Sequence, residues 1–378
     1  AAGGLHGDSQ GGRIVARSSV RTDEQRALAM SDAAARAMEE HAASAGLSWP
    51  PAPFASSEAG SFADRLSANP FLMAPMASVT DSAYRIMARA GGAAIAYTEM
   101  VSVTGIHYKS EKTWQLVEPN QAEPDLAVQL FGADPEHFRE AAPLVAERVG
   151  DRLALVDVNM ACPVPKVTKG GAGSALLDEP ELAAKIVRTL VDSLDVPVTV
   201  KIRVGRTPGK IVGPDFARAM EVAGASAIAV HGRVASQMYR GESDPAAIAE
   251  VVKAVDVPVI ASGDALDAAR AVRLLSDTGA AACFVARGSY GDPWIFANAH
   301  RVLAGECETE VTPRMRLAAF RLHVRLLVAT GAHMARARSL AGWYLRGVPE
   351  AAAWRERAMH CRDVADYLAL ADELEATL

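Results

Sequence analysis

The chain has 378 residues, half of them hydrophobic and 22% charged, with 39 Lys and Arg against 45 Asp and Glu and a net charge of −6. That content supports a sizeable core, and the acidic balance excludes a protein that coats nucleic acid through bulk charge. The four cysteines (Cys162, Cys283, Cys307, Cys361) lie far apart with no C-x-x-C, which argues against a disulfide framework or a cysteine zinc site and suits a reducing compartment.

There is no apolar run of about 18 residues and no secretory h-region, so a cytoplasmic protein without a membrane span is expected. The chain begins at Ala1 rather than Met, so an upstream start is expected too. Residues 1–21, rich in Gly, Ser and Arg, read as disordered. Thr22-Asp-Glu-Gln25 has the form of a capping box, and the Ala-rich run that follows to Ala45 reads as a helix whose Ala and Met face buries little. Trp49-Pro-Pro-Ala-Pro53 is a stiff break. Residues 1–66 therefore form an N-terminal extension, partly helical or disordered, with no functional motif.

From Asn69 the texture changes. Eight short apolar or β-branched runs, at 71–74, 93–98, 125–130, 154–159, 197–202, 226–231, 257–261 and 281–286, alternate with helical stretches. The latter lie at 80–90, 135–148, 181–194, 215–223, 245–255 and 265–276. This alternation predicts parallel βα units, and eight of them predict a closed (β/α)8 barrel over 67–305. Three echoes support repetition: Arg89-Ala-Gly-Gly-Ala-Ala-Ile95, Val222-Ala-Gly-Ala-Ser-Ala-Ile228 and Asp277-Thr-Gly-Ala-Ala-Ala-Cys283. In each, a helix ends, Gly takes a left-handed position and small residues enter a strand. Gly205-Arg-Thr-Pro-Gly-Lys210 misses a phosphate loop by one residue in spacing and by Ile211 where Ser or Thr is required.

After His300 only helical periodicity remains, at 312–329, 332–346 and 351–376, so 306–378 reads as an all-helical domain. Residues 301–362 carry eleven Arg, no Lys and five acids. A charge run is by default a solvated face. An Arg-only bias, however, suits phosphates and base edges, so Arg321, Arg325, Arg336 and Arg338 are candidate RNA contacts.

A barrel of this kind keeps its active site at the C-terminal ends of its strands. There the runs end in Pro75-Met76-Ala77, Thr98-Glu-Met100, Gln129, Asn159 and Cys162, Lys201 and Arg203, His231-Gly-Arg233, Ser262-Gly263-Asp264, and Ala286-Arg287. One such residue is unremarkable; polar or Gly-bearing ends on nearly every strand indicate a site. The Gly-bearing loops after runs seven and eight, with Arg287, suit a phosphate monoester. Lys201 suits a delocalised anion, and Gln129 and His231 the polar edge of a flat ring. A lone Cys is usually a small buried hydrophobe, but Cys162 lies between two prolines, close in sequence to Lys166, and is the reactive candidate. Cys283, inside a run, reads as core.

These residues resemble the tRNA dihydrouridine synthases, within them the bacterial B-type branch. The carrying segments are Ala74-Pro-Met-Ala-Ser-Val-Thr-Asp81, Val128-Gln-Leu-Phe-Gly-Ala-Asp134, Asp157-Val-Asn-Met-Ala-Cys-Pro163, Ala172-Gly-Ser-Ala-Leu-Leu177, Val200-Lys-Ile-Arg203, His231-Gly-Arg233, Gly263-Asp264 and Gly291-Asp-Pro-Trp-Ile-Phe296. The likeness is close over 69–300 and looser over 301–378. It implies an FMN-binding barrel, a helical tRNA-binding domain, NADPH as reductant, no metal and a monomer.

It also implies that a target uridine is flipped into the pocket, that hydride passes from flavin N5 to uracil C6, and that a cysteine thiol protonates C5. On this resemblance Cys162 is the acid, and Asn159, Lys166 and Arg203 bind uracil. Gln129, Lys201 and His231 contact the flavin ring, Gly263, Asp264, Ala286 and Arg287 its phosphate, and Pro75, Met76 and Ala77 lie under it. The sequence departs from the family pattern at Ser262 (Asn in the pattern), at Ala286 (Gly) and at Ser339-Leu340 (Lys-His). Two other readings remain open: an FMN-barrel reductase of a free pyrimidine or other small unsaturated substrate, and a non-catalytic RNA-binding paralogue.

Overall fold

The computed structural model describes residues 31–52 and 62–378, so the 1–21 segment and the capping box at 22–25 lie outside the described residues. Eight parallel strands follow one another in space: β1 Phe71–Met73, β2 Val101–Ser102, β3 Leu126–Phe131, β4 Leu153–Met160, β5 Val198–Arg203, β6 Ala227–His231, β7 Val259–Ser262 and β8 Ala282–Val285. The ladder runs β1-β8-β7-β6-β5-β4-β3-β2. Seven of the eight expected runs coincide with strands.

The second run, 93–98, behaves differently. It makes only isolated bridges, Met73 to Ala96 and Tyr97 to Ala127, and β2 itself forms later, at 101–102. The 94–98 segment nevertheless closes the barrel. Ala94 N donates to Phe71 O (2.8 Å) and Met73 N to Ile95 O (2.9 Å) on one side, and Thr98 N donates to Ala127 O (2.9 Å) on the other.

Strand side chains alternate between the barrel interior and the surrounding helices. Inside, Leu72, Ala127, Leu155, Ala229, Ile260 and Ala282 form a buried apolar layer with Tyr97 and Phe284. Further along β3 to β7 the interior series turns polar: Gln129, Asp157 and Asn159, Thr199 and Lys201, His231, Ser262; just past β1 and on β8 it stays apolar, at Ala74 and Phe284. The opposite series (Val128, Val156, Val158, Val200, Ile202, Val230) packs under the helices. Helices α1 Asp32–Ala45, α2 Phe62–Ala68, α3 Ser82–Ala90, α4 Val103–His107 and α5 Glu111–Trp114 precede β3. Helices α6 Pro135–Val149, α7 Pro165–Thr168, α8 Pro180–Val191, α9 Gly213–Val222, α10 Pro245–Val252 and α11 Ala268–Thr278 lie between the later strands. Two of the three echoed glycines hold positive-φ backbone, +101° at Gly224 and +69° at Gly279; in the first echo the matching Gly91 has φ −82° and the positive φ falls one residue later, at Gly92 (+99°).

After β8 come α12 Ile295–Leu303, α13 Pro313–Ala329, α14 Arg336–Tyr344, α15 Ala351–His360 and α16 Val364–Glu375. The expected single helix over 351–376 is two helices. Cys361 takes extended backbone (φ −62°, ψ 139°), and Asp363 caps the next helix through the Asp366 amide. A second core joins these helices to one face of α3 (Ala83, Ile86, Met87, Ala90) and to Trp294. The extension contributes to it as well. Ala42, Ala45 and Leu47 are buried there, the Trp294 indole donates to Ala45 O (2.8 Å), and Ser48 N donates to Ala90 O (2.9 Å). The face that reads as burying little thus lies against α13, because Ala permits close approach.

Candidate active site

Above the apolar layer the barrel opens into a cavity of about 400 Å³. Its wall includes Pro75, Met76, Ala77, Gln129, Asn159, Cys162, Lys201, Arg203, His231, Gly263, Asp264, Ala286 and Arg287. These side chains converge because β3 to β7 present the same pleat. Asn159 pairs in register with Lys201, Arg203 with His231, and His231 with Ser262.

On the β3–β5 side a chain of hydrogen bonds orients the amides. Asn159 Nδ2 donates to Gln129 Oε1 (2.8 Å), and Gln129 Nε2 donates to Asp157 Oδ2 (2.7 Å). The Thr199 hydroxyl donates to Asp157 Oδ1 (2.6 Å). Fully buried, Asp157 is pushed up to about 6 by desolvation, against these hydrogen bonds and the Lys201 charge. Burial and the Arg203 charge bring the Lys201 ammonium down to about 8, with Asp157 opposing. Lys201 is therefore a cation at neutral pH, but one held with little hydration.

The Cys162 loop follows β4. Asn159 Oδ1 accepts from the amides of Ala161 (3.2 Å) and Cys162 (2.9 Å), an Asx turn that fixes the thiol-bearing residue. Arg203 Nε donates to Ala161 O (2.9 Å), and Ser174 N to Cys162 O (2.9 Å). Gly173, at φ +61°, runs so close that a Cβ there would meet Cys162 O at 2.7 Å, which explains the glycine of the Ala172-Gly-Ser segment. The Cys162 thiol is half-buried, at the cavity wall. Cys283, by contrast, is fully enclosed, its thiol pushed up to about 12 by burial.

The other end of the cavity is cationic. Gly263 has φ +127°, and a Cβ there would meet Ser243 Oγ at 2.3 Å and His231 Cδ2 at 3.1 Å, so only glycine lets this loop run so close to the wall. The Asp264 carboxylate is held by side chains and one backbone amide of the site itself. It takes Arg233 Nη1 (3.0 Å) and Nη2 (2.7 Å), Arg287 Nη2 (3.1 Å) and the Ser243 amide (2.8 Å). Burial alone would raise this carboxyl, but those hydrogen bonds and charges hold it below the usual range. Its function is to aim two guanidiniums. Burial, with the charges of Lys201, Arg203, Arg233 and Arg287, keeps the His231 ring well below its ordinary value. The imidazole is thus neutral, with one donor and one acceptor.

Arg233 and Met100, named at strand ends in the sequence but given no role there, line the cavity, and Tyr239 and Tyr290, which the sequence did not single out, line it too. Arg233 ends the His231-Gly-Arg233 segment, a signal that was present. Tyr239 is 63% exposed and lies between Arg203 and Arg287, 6.0 and 5.9 Å from its ring centre. An aromatic residue in a polar loop marks it, but only the fold shows which loop reaches the mouth.

Five of the expected contacts need correction or placement. Lys166 is exposed on the short helix α7 and is not among the cavity-lining residues. Arg321 is buried and bound to Asp372 (2.7 Å) and Glu375 (2.8 Å), so it holds α13 to α16 and offers no open surface to RNA. Arg336 is bound to Asp81 (3.0 Å) and Glu99 (2.8 Å) of the barrel. Arg325 is half-buried beside His41 of the extension, whose ring is lowered to about 4 by burial and by the Arg325 charge. Arg338 is exposed. At the departure Ser339-Leu340, Ser339 is exposed and Leu340 is buried in the second core.

Residues 72–377 match the family described as dihydrouridine synthase (Dus). The chain is 36% identical over 310 residues to "Probable tRNA-dihydrouridine synthase 1" of Synechocystis sp., covering 81% of this chain and 86% of that protein. It is 36% identical over 295 residues to "tRNA-dihydrouridine synthase B" of Xanthomonas axonopodis pv. citri, covering 75% and 86%. It is 35% identical over 291 residues to the protein of the same name from Vibrio parahaemolyticus, covering 76% and 89%.

Proposed function

The chain belongs to the dihydrouridine synthase family, and we propose that it reduces the C5=C6 bond of uridines in tRNA with FMN as cofactor and NADPH as reductant. The observation that carries this reading is the polarity of one cavity. A cysteine and two oriented amides stand at one side, and two aimed guanidiniums beside a glycine-lined loop at the other. That arrangement fits a phosphorylated planar cofactor. Gln129, Lys201 and His231 would hold the ring, and Gly263, Ala286 and Arg287 the phosphate, with Asp264 orienting Arg287. The missing Cβ at Gly263 lets this loop pack tightly on Ser243 and His231, which holds its backbone at the cavity edge. Replacing the pattern's Gly by Ala286 leaves a backbone N–H available to a phosphate. A reduced flavin held by these residues would supply hydride chemistry toward C6 of uracil.

The chain's own residues do the rest. Asn159 presents an amide to the uracil edge while its Oδ1 keeps the Cys162 loop in place. The Cys162 thiol gives its proton to C5, becomes a thiolate, and is reprotonated from solvent, which its half-exposed position permits. The donor must be a thiol when hydride arrives, so a strongly lowered thiol would defeat the step. Lys201, cationic and poorly hydrated, stabilises negative charge that develops in the cavity far better than an exposed ammonium would. Neutral His231 adds a hydrogen bond without adding a further charge.

A purified preparation tests this directly. It should be yellow, and with NADPH it should convert uridine to dihydrouridine in tRNA but not in free uridine. Turnover of free uridine at the same rate would favour the small-substrate reductase. A colourless protein that binds tRNA would favour the non-catalytic paralogue.

A further inference from the structure

The Arg-rich character of residues 301–362 makes Arg336 look like an RNA contact, yet its guanidinium points into the barrel. Nη2 donates to Glu99 Oε1 at 2.8 Å, and Nη1 lies 3.0 Å from Asp81 Oδ2. Both acids are largely buried, with side-chain exposures of 12% and 13%. Each uses its second oxygen on backbone. Glu99 Oε2 accepts from the Ser78 amide at 2.5 Å, and Asp81 Oδ1 caps α3 through the Tyr84 amide at 2.8 Å.

Ser78 has φ +62°, a left-handed conformation that a serine adopts only when its surroundings impose it. The Glu99 carboxylate is one such constraint. Thr80 is another, accepting from Met76 N (3.2 Å) and donating to Met76 O (3.1 Å). The turn so held runs directly out of Pro75-Met76-Ala77, which lines the cavity.

We propose that Arg336 is a positioning residue that transmits the seating of the helical domain to the flavin site. Through Glu99 it fixes the Met76–Ser78 turn, and through Asp81 the start of α3. The contact is two carboxylates bridged by one planar fork, geometry that Arg supplies and Lys does not. Burial raises the Asp81 carboxyl and the Arg336 charge opposes that rise. Without Arg336, two buried acids face each other unpaired and the turn loses its anchor. Because α14 belongs to the helical domain's core, the fork ties the seating of that domain to the turn beside the cavity, alongside the stacking of Trp343 on the cavity-lining Tyr290.

The inference rests on the flavin-dependent reading above, and its test separates the two. FMN affinity is measured by fluorescence titration for the full chain, Arg336→Gln, Glu99→Gln, the double variant and Arg336→Lys, with thermal unfolding to confirm that each folds. The expected result is FMN binding weakened about tenfold in each Gln variant, with the double variant no weaker than either single, as for partners in one contact. Lys should rescue only in part. In wild type, adding tRNA should shift the flavin's visible band. In Arg336→Gln the tRNA still binds in a mobility assay but the shift is lost. FMN affinity equal to wild type, with only the KM for tRNA raised, would make Arg336 an RNA contact and overturn the proposal. A wild-type chain that takes up no FMN would overturn the reading beneath it as well. Should Arg336→Gln not fold, Glu99→Gln and Arg336→Lys decide the matter on the same readouts.

Discussion

Replacing Asp157 by Asn removes a buried charge while keeping the shape of the network around it. In the native state burial raises this carboxyl from 3.8 to about 6, roughly two units, worth about 3 kcal/mol in differential stability of the two protonation states. Below pH 3.8 the side chain is neutral both folded and unfolded, and no penalty exists. Between 3.8 and about 6 the folded chain retains a proton that the unfolded chain has lost, so this group's contribution to stability falls as pH rises. Above that range the full penalty applies.

Asn can still accept from Gln129 and can donate to Thr199 Oγ1, at a small cost that does not depend on pH. The stability difference, variant minus wild type, should therefore climb by roughly 2.4 kcal/mol between pH 4 and pH 7. Urea unfolding of both proteins across that range measures it, the difference cancelling every other titrating group. A difference that stays flat with pH would show that Asp157 titrates normally and would refute the description of the network as a buried, desolvated carboxyl. The variant should also weaken FMN binding, because Lys201 loses the one carboxylate that opposes its desolvation.

Cys162→Ala should keep FMN and its reduction by NADPH but lose dihydrouridine formation by about 10²–10⁴-fold, the usual contribution of a positioned acid; full product formation would remove Cys162 from the mechanism. Asp264→Asn leaves the buried Arg233 guanidinium, 2% exposed, short of its anion. It should destabilise the chain by about 2–4 kcal/mol and weaken FMN binding, read by thermal unfolding and fluorescence titration. Gly263→Ala forces φ +127° on a residue with a Cβ and drives that atom onto Ser243, so FMN uptake should fall while tRNA binding in a mobility assay does not. Removing residues 1–52 uncovers the face of α13 on which Ala42, Ala45 and Leu47 pack. That should lower the thermal midpoint yet leave FMN affinity within about twofold, since none of those residues lines the cavity.

Much of the barrel was legible in the sequence because a parallel sheet covered on both faces needs runs of apolar residues, and because Gly or Asp marks several helix ends, as at Asp134, Asp244, Asp267 and Gly279. The 93–98 run read as a strand from its composition alone. Its place between β1 and β3, where it closes the barrel through isolated bridges, is a matter of tertiary geometry that composition does not carry. The break between Ala351–His360 and Val364–Glu375 was written in the Asp363 cap but hidden by continuous helical periodicity around it. In the site, their position at the C-terminal ends of the runs placed Gln129, Asn159, Lys201 and His231 together, and the structure brings them to one cavity. Asp264 and Arg336 illustrate the opposite case. Both carry the charge expected of a ligand contact, and both spend it on other side chains, because the partner of a buried charge is set by burial and distance, which spacing in sequence does not reveal. The Arg excess of 301–362 is in part internal ion pairing for the same reason, as at Arg321.

The central claim is that one cavity reduces uracil within tRNA and that Cys162 supplies the proton. The most direct measurement is mass spectrometry of nucleosides from unmodified tRNA incubated with the purified protein, FMN and NADPH in deuterated water. The account predicts dihydrouridine carrying solvent deuterium at C5, formed by wild type and all but absent with Cys162→Ala. Dihydrouridine formed equally by both proteins, or none formed by a wild-type protein that holds FMN and oxidises NADPH, would contradict it.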